Sequence, residues 1–192
     1  MTDAECRLLL ETVANGLPKL KVLIINEQLS NGIHSSLFRQ EFAKLLKQYR
    51  SQVRFVFDGR DHLDAYPGAT LKINASAASI LAFGDAGHCP QESGIAIMRK
   101  TGEELVITDG DNGCFVFEEK EEITHIPAIR YDGPVDTVGA GDSFTAGFSY
   151  ALAAGASMKH AAMPGTCCSA VTIRKLNQTG VPTPAEIMDL LS

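Results

Sequence analysis

No run of lysine or arginine occurs in this 192-residue chain, and its formal net charge is −6. Nucleic-acid surfaces are built from clustered cations that neutralise phosphates, so the charge balance argues against a nucleic-acid partner. No stretch approaches the ~20 apolar residues that a membrane-spanning helix needs. The N-terminus also lacks the basic-then-apolar pattern of a signal peptide. A cytoplasmic protein with no membrane partner is the expectation. Cysteine is sparse: Cys6, Cys89, Cys114, Cys167 and Cys168 are odd in number and form no CxxC pair. Reduced, mostly buried thiols are the simplest account. His88-Cys89 has the residue types for half a metal site, but nothing nearby in sequence completes the ligand set that zinc requires. There is no G-x-x-x-x-G-K-[ST], which excludes a P-loop. Internal repeats, low-complexity segments and linkers are absent too.

What remains is the composition of an ordinary globular protein, 45% hydrophobic and 21% charged, long enough for one well-packed domain and short for two. Thr2-Asp3-Ala4-Glu5 is a capping box, which opens a helix carrying Leu8, Leu9 and Val13 to about Asn15-Gly16. Lys21 to Ile25 is a continuous apolar run of strand length, the pattern of a strand covered on both faces. A polar loop from Asn26 to His34 follows. Ser35 or Ser36 caps a second helix with Phe38, Phe42, Leu45 and Leu46 on one face. Val53 to Phe57 is the next strand, ending at Asp58. Strand, helix, strand is the unit of a parallel sheet.

After a loop to Gly68, Thr70 to Ile73 reads as a short strand with Asn74 at its carboxyl end. Ligands of open α/β sheets bind at that end, so Asn74 is placed for function. Helices are predicted from about Ala75 to Ala82 and between Gln91 and Lys100. Strands at Glu104–Thr108 and Cys114–Glu118 bracket Asp109-Gly110-Asp111-Asn112-Gly113, a glycine-rich turn, and another short strand covers Ile123 to Ile126. Beyond Leu152, a helical stretch at roughly Ser157–Lys175 should kink or split at Pro164-Gly165. Thr183-Pro184-Ala185-Glu186 opens the last helix, whose apolar face is Ile187, Leu190 and Leu191. The whole chain, 1–192, reads as a single α/β domain.

The organising stretch is Asp136 to Phe148, DTVGAGDSFTAGF. A turn through Thr137-Val138 reaches Gly139-Ala140-Gly141-Asp142, and Phe144, Phe148 and Leu152 then recur at helical spacing. A glycine-bearing turn feeding a helix N-terminus presents unpaired N–H groups and the positive end of the helix dipole, an anion site. Small residues let a ligand approach the backbone. Asp142 has two readings. It favours the helix dipole from the first turn, or it removes a proton from an attacking hydroxyl beside the anion. A Rossmann site is unlike this stretch, because the third glycine position is Phe144 and the turn follows the last strand instead of the first. Thr108 to Gly113, by itself, is a hairpin turn.

DTVGAGDSFTAGF resembles the second signature of the PfkB, or ribokinase-like, carbohydrate kinases. The resemblance implies a three-layer αβα sandwich with a mostly parallel central sheet. It implies ATP as phosphoryl donor, Mg²⁺, and a sugar or sugar phosphate as acceptor. Carried over residue by residue, Asp142 is the catalytic base and Gly139, Ala140 and Gly141 form the anion hole. The family's T-x-G-x-x-G turn corresponds to Thr108, Gly110 and Gly113, which with Asn74 make up the implied nucleotide site. The family's N-x-x-E motif is altered: Asn74-Ala75-Ser76-Ala77 has Ala77 where the family has a Glu that organises the Mg²⁺–phosphate network. Metal ligands are therefore unassigned. Tyr66-Pro67-Gly68-Ala69-Thr70-Leu71, His125-Ile126-Pro127-Ala128 and the words around Arg174-Lys175-Leu176 and Pro182-Thr183-Pro184 look like the heptose-phosphate kinase branch.

The resemblance covers only the C-terminal part of a family member, and the strands and lid that supply most sugar contacts have no counterpart. The expectation is a strand left with an unpaired edge, Val22–Ile25 or 53–57. The chain would then self-associate or pair with a separate N-terminal half, unless the helix at 3–15 folds over the exposed side. The alternative to a kinase is a catalytically impaired nucleotide-binding or interaction protein derived from one.

Overall fold

The computed structural model describes every residue except 30, 31, 61, 63, 119–121 and 192, and the backbone alone at 191. The parts of the expected loops at 26–34 and 58–68 that fall on residues 30, 31, 61 and 63 lie outside the described residues, as does the side chain of Leu191. Six strands form one sheet in the order β1-β2-β3-β4-β5-β6. The sheet is mostly parallel and the fold is α/β. The chain divides into two compact units, Met1–Leu105 and Val106–Ser192.

In the first unit, α1 (Asp3–Gly16) starts at the expected capping box. Thr2 Oγ1 accepts from the Glu5 amide at 3.3 Å, and Glu5 Oε2 accepts from the Thr2 amide at 2.7 Å. Two orphan donors of the first turn are thereby satisfied. β1 (Val22–Asn26), β2 (Arg54–Asp58) and β3 (Thr70–Asn74) run parallel, with Asn26 opposite Asp58 and Asp58 opposite Lys72. α2 (Ser36–Tyr49) is capped by Ser35 and buries Phe38, Phe42 and Leu46. Phe42 meets Phe38, Phe55 and Tyr66 at ring separations of 5.4, 6.0 and 5.4 Å, an aromatic core of one sheet face. α3 (Ala75–Phe83) and α4 (Pro90–Thr101) complete the unit.

One expectation fails here. β1 is not covered on both faces: of its residues only Ile25 is buried, and Ile24 is 41% exposed. An apolar run reports affinity for burial, whereas β1 lies at the end of the strand order and, among the described residues, has one strand neighbour. The described residues between β1 and α2 form a loop, as expected, but Glu27 and His34 in it are buried. Glu27 Oε2 accepts from the Arg60 and His62 amides at 3.0 Å, and its Oε1 faces His62 Nδ1. His34 Nδ1 lies 2.6 Å from the Tyr66 hydroxyl and Nε2 lies 3.2 Å from the Asn26 carbonyl. A carbonyl only accepts, so this network assigns the proton to Nε2 and makes Nδ1 the acceptor from Tyr66. Lys72, in the middle of β3, and Asp58, opposite it at the carboxyl end of β2, form a buried ion pair at 3.0 Å.

In the second unit, β4 (Leu105–Thr108) leads through a tight turn at Gly110–Asn112 to β5 (Cys114–Glu118), which pairs antiparallel with β6 (Glu122–Ile126). α5 (Ala140–Ala153) and α6 (Met158–Thr172) pack closely, and α6 also packs on β5 and β6. The approach of the two helices is set by glycine. A Cβ at Gly147 would stand 2.6 Å from Cys168 Sγ and 2.8 Å from the Pro164 carbonyl, and one at Gly165 would stand 3.0 Å from Phe144. Pro164 does not split α6, which runs unbroken through it. The hydrogen bond that proline forfeits is outweighed by the burial of the helix on both sides of it, from Met158 to Thr172. α7 (Pro184–Leu191) begins at a second reciprocal cap, in which Glu186 Oε2 accepts from the Thr183 amide at 2.8 Å. Cys6, Cys114, Cys167 and Cys168 are buried free thiols, as expected, while Cys89 is exposed. Burial pushes the Cys114 thiol up to about 11 and raises those of Cys167 and Cys168, which leaves them unreactive.

Candidate active site

The signature folds as a turn into α5. Gly139 is the N-cap residue, with φ 80° and ψ −1°, and it brings no side chain to cap the first-turn amides. Left-handed backbone favours glycine there, and a Cβ would meet the Thr179 methyl at 2.9 Å. Ala140, Gly141 and Asp142 occupy the first turn. Gly141 and Asp142 are exposed, and Gly139 and Ala140 half-buried. The Ala140 amide donates to the Thr137 carbonyl at 3.2 Å, a long bond that an anion could share or displace. The positive end of a 14-residue helix, with small residues around it and a carboxylate at its third position, thus faces outward.

The second unit also holds the glycine-rich turn. The Asp109 amide donates to the Gly113 carbonyl at 2.8 Å and the Gly113 amide to Gly110 at 3.0 Å, closing it tightly. The two glycines differ. Gly110 (φ 52°) faces open space, whereas a Cβ at Gly113 (φ 92°) would sit 2.1 Å from the Ile126 carbonyl and 2.6 Å from the Ala128 amide. Gly113 is required by the close pass of the chain leaving β6, and Gly110 is the one with room for a ligand. Thr108 is half-buried at the end of β4. α6, packed on both α5 and β5, is the neighbour common to the two turns.

Asn74, in the first unit, stands at the carboxyl end of β3 as expected. Its Oδ1 is engaged as the N-cap of α3, accepting from the Ala77 amide at 2.8 Å. Among the described residues no group of three His, Cys, Asp or Glu is placed to hold a metal ion.

A model of the pfkB family carbohydrate kinases matches residues 28–185. The chain belongs to that family. Family relatives include the bifunctional protein HldE of Pelobacter propionicus, 31% identical over 131 residues that make up 66% of this chain and 26% of the relative. The ribokinase of Lactococcus lactis is 33% identical over 92 residues, 47% of this chain and 30% of the relative. Among solved structures, Arabidopsis thaliana ribokinase complexed with ribose and ATP superposes with a TM-score of 0.74 at 23% identity, over 100% of this chain and 59% of that one. Escherichia coli phosphofructokinase-2 in complex with potassium gives 0.80 at 18% identity, over 99% and 62%. These likenesses establish the ribokinase-like fold. The chain spans about a quarter of HldE and about three-fifths of the solved kinases.

Around the signature the PfkB chain uses residues to which its sequence gave no role. The Asp136 carboxylate accepts from the Val138 amide through Oδ1 and from the Asn177 amide through Oδ2, both at 3.0 Å. Ser169 Oγ donates to the Ala140 carbonyl at 2.7 Å. Thr172 Oγ1 hydrogen-bonds Ser143 Oγ at 2.7 Å and reaches the Gly180 carbonyl at 3.1 Å. The Asp136–Val138 contact is an Asx turn, a local pattern that an Asp-Thr-x-Gly run signals. Of the other four, three join residues 29 to 41 apart and one, Thr172–Gly180, residues 8 apart, and no sequence period marks them.

Proposed function

We propose that this chain carries the nucleotide-binding and phosphoryl-transfer portion of an ATP-dependent sugar or sugar-phosphate kinase. The observation that supports it most is the outward-facing start of α5, where Gly139 caps without a side chain and Asp142 stands in the first turn. The acceptor hydroxyl attacks the γ-phosphate in line. The amides of Gly139, Ala140 and Gly141 meet the phosphoryl oxygens, and such preorganised donors usually supply the larger part of the stabilisation. Asp142 receives the hydroxyl proton. A carboxylic acid, with a reference pKa of ~3.9, is a far stronger acid than an alcohol, so the proton moves late, as the new O–P bond forms. Thr108, Gly110, Gly113 and Asn74 are assigned to the nucleotide, Gly110 through its open face and Asn74 from a side chain that already caps α3. The described residues do not build a site for Mg²⁺, and Ala77 offers no carboxylate. An ion carried in on the nucleotide's own phosphates remains compatible with the reading, and no step here is routed through it.

The same two facts support a second reading, a PfkB-derived protein that binds nucleotide or a partner without turnover. Sugar-dependent ADP release separates the two. The kinase reading expects turnover that Asp142→Asn lowers by ~10²–10⁴ while ADP affinity holds. Nucleotide binding with no turnover on any sugar or sugar phosphate supports the second. Equal turnover in the Asn variant shows that another group takes the proton.

A further inference from the structure

Three contacts join the start of α5 to one short loop between α6 and α7. Asp136 Oδ2 accepts from the Asn177 amide at 3.0 Å. Gly139 lies against the methyl of Thr179, so closely that a Cβ there would be 2.9 Å from it. Ser143 Oγ is tied through Thr172 Oγ1 to the Gly180 carbonyl. The three fall before, at and after the anion-hole turn. Asn177 is itself held at φ 57°, the one positive φ outside glycine among the described residues, and that conformation is maintained by its surroundings. The α6 end adds a fourth tie, since the Asp136 amide donates to the Ile173 carbonyl at 2.8 Å.

We infer that Asp136 is a positioning residue, whose carboxylate locks the 177–180 loop and the anion-hole turn into one unit and so sets phosphate affinity. The physical reason is that its two oxygens serve two amides 39 residues apart in number, Val138 and Asn177. Either bond alone would order only its own segment. Both together make the direction of the Gly139–Asp142 amides depend on where the loop stands. Anything that moves residues 177–180 therefore changes affinity at the turn without touching the phosphate. The inference rests on the anion-site reading for its ligand, and on the hydrogen bonds alone for the link.

The test uses the whole chain, wild type and Asp136→Asn, with ADP as probe. Hydrogen exchange without ligand reads the link. In the variant, which keeps one carbonyl oxygen but presents an N–H₂ where the other oxygen was, exchange at Val138 or Asn177 should quicken. Gly141 to Ser143 should quicken with it, while the β5–β6 amides stay as they were. ADP affinity, followed by amide shifts at 139–142, should fall ~10-fold or more, the worth of a hydrogen bond to a charged group. Affinity is measured well below the variant's unfolding midpoint, where a merely structural role would leave it unchanged. Thr179→Ser, which removes only the methyl beside Gly139, should give a smaller loss in the same amides. Wild-type affinity and unchanged exchange in Asp136→Asn overturn the inference. If the wild type shows no ADP-induced shifts, the anion-site reading fails on its own. The exchange data then decide the link: coupled quickening at 138–143 and 177 upholds it, and unchanged exchange overturns it.

Discussion

Gly147→Ala should destabilise this protein, although replacing glycine by alanine in mid-helix ordinarily stabilises by ~1 kcal/mol. The geometry reverses the sign. The added methyl would lie 2.6 Å from Cys168 Sγ and 2.8 Å from the Pro164 carbonyl. The sulfur can swing away, but the carbonyl belongs to the backbone of α6 and moves only with the helix. Forcing an extra methyl into such a contact typically costs ~1–3 kcal/mol. Set against the propensity gain, the net loss is ~1–2 kcal/mol where the cost lies in the upper part of that range. For a chain of this size, that corresponds to a fall in Tm of ~2–8 °C. Gly16→Ala is the control: the last residue of α1 has nothing within 4 Å of its added Cβ. There the same substitution should raise Tm. Adding Cys168→Ala to Gly147→Ala should recover part of the loss and not all of it, because the carbonyl remains. Calorimetric melts of the four proteins decide the matter. A neutral or stabilising Gly147→Ala would mean that α5 and α6 are not packed backbone to backbone at this point.

Lys72→Met should cost ~3–5 kcal/mol in a denaturant melt, since it removes the ammonium that faces the buried Asp58 carboxylate at 3.0 Å. Acid should loosen the start of α7. The hydrogen bond from Lys175, then the backbone and side-chain bonds of Thr183, hold the Glu186 carboxyl down from 4.5 to about 2. A depressed carboxylate stabilises fully above its unfolded value and loses that contribution as pH falls through its folded value. Protection of the amides at 184–190, taken relative to intrinsic exchange at each pH, should therefore fall between pH 4.5 and 2, and Glu186→Gln should abolish that fall. The outer edge of β1, with Ile24 exposed and one strand neighbour among the described residues, should promote self-association. Sedimentation as a monomer throughout the micromolar range would contradict that.

Much of the fold was legible because the signals are local. The boxes at Thr2–Glu5 and Thr183–Glu186 state their helix starts within four residues, and both formed as read. The DTVGAGDSFTAGF run likewise states a turn and a helix, and the family match bears out the kinship that it implied. The failures are all non-local. Glu27 reads as a loop residue until the amides of Arg60 and His62 close over it. β1 reads as covered on both faces because apolarity records no neighbour, although its place at the sheet edge was among the expectations. Pro164 reads as a break because the packing that holds α6 together comes from α5. Asp136 opens the signature, yet half of its role lies 41 residues away at Asn177.

The central claim is that a phosphate group binds at the start of α5. Titration with ADP, in the presence of Mg²⁺, tests it most directly through the amide signals of an isotopically labelled protein. The account expects saturable shifts at 137–143 together with 108–113, with the largest at Gly141 and Asp142. Spectra unchanged in both segments at millimolar ADP would contradict it.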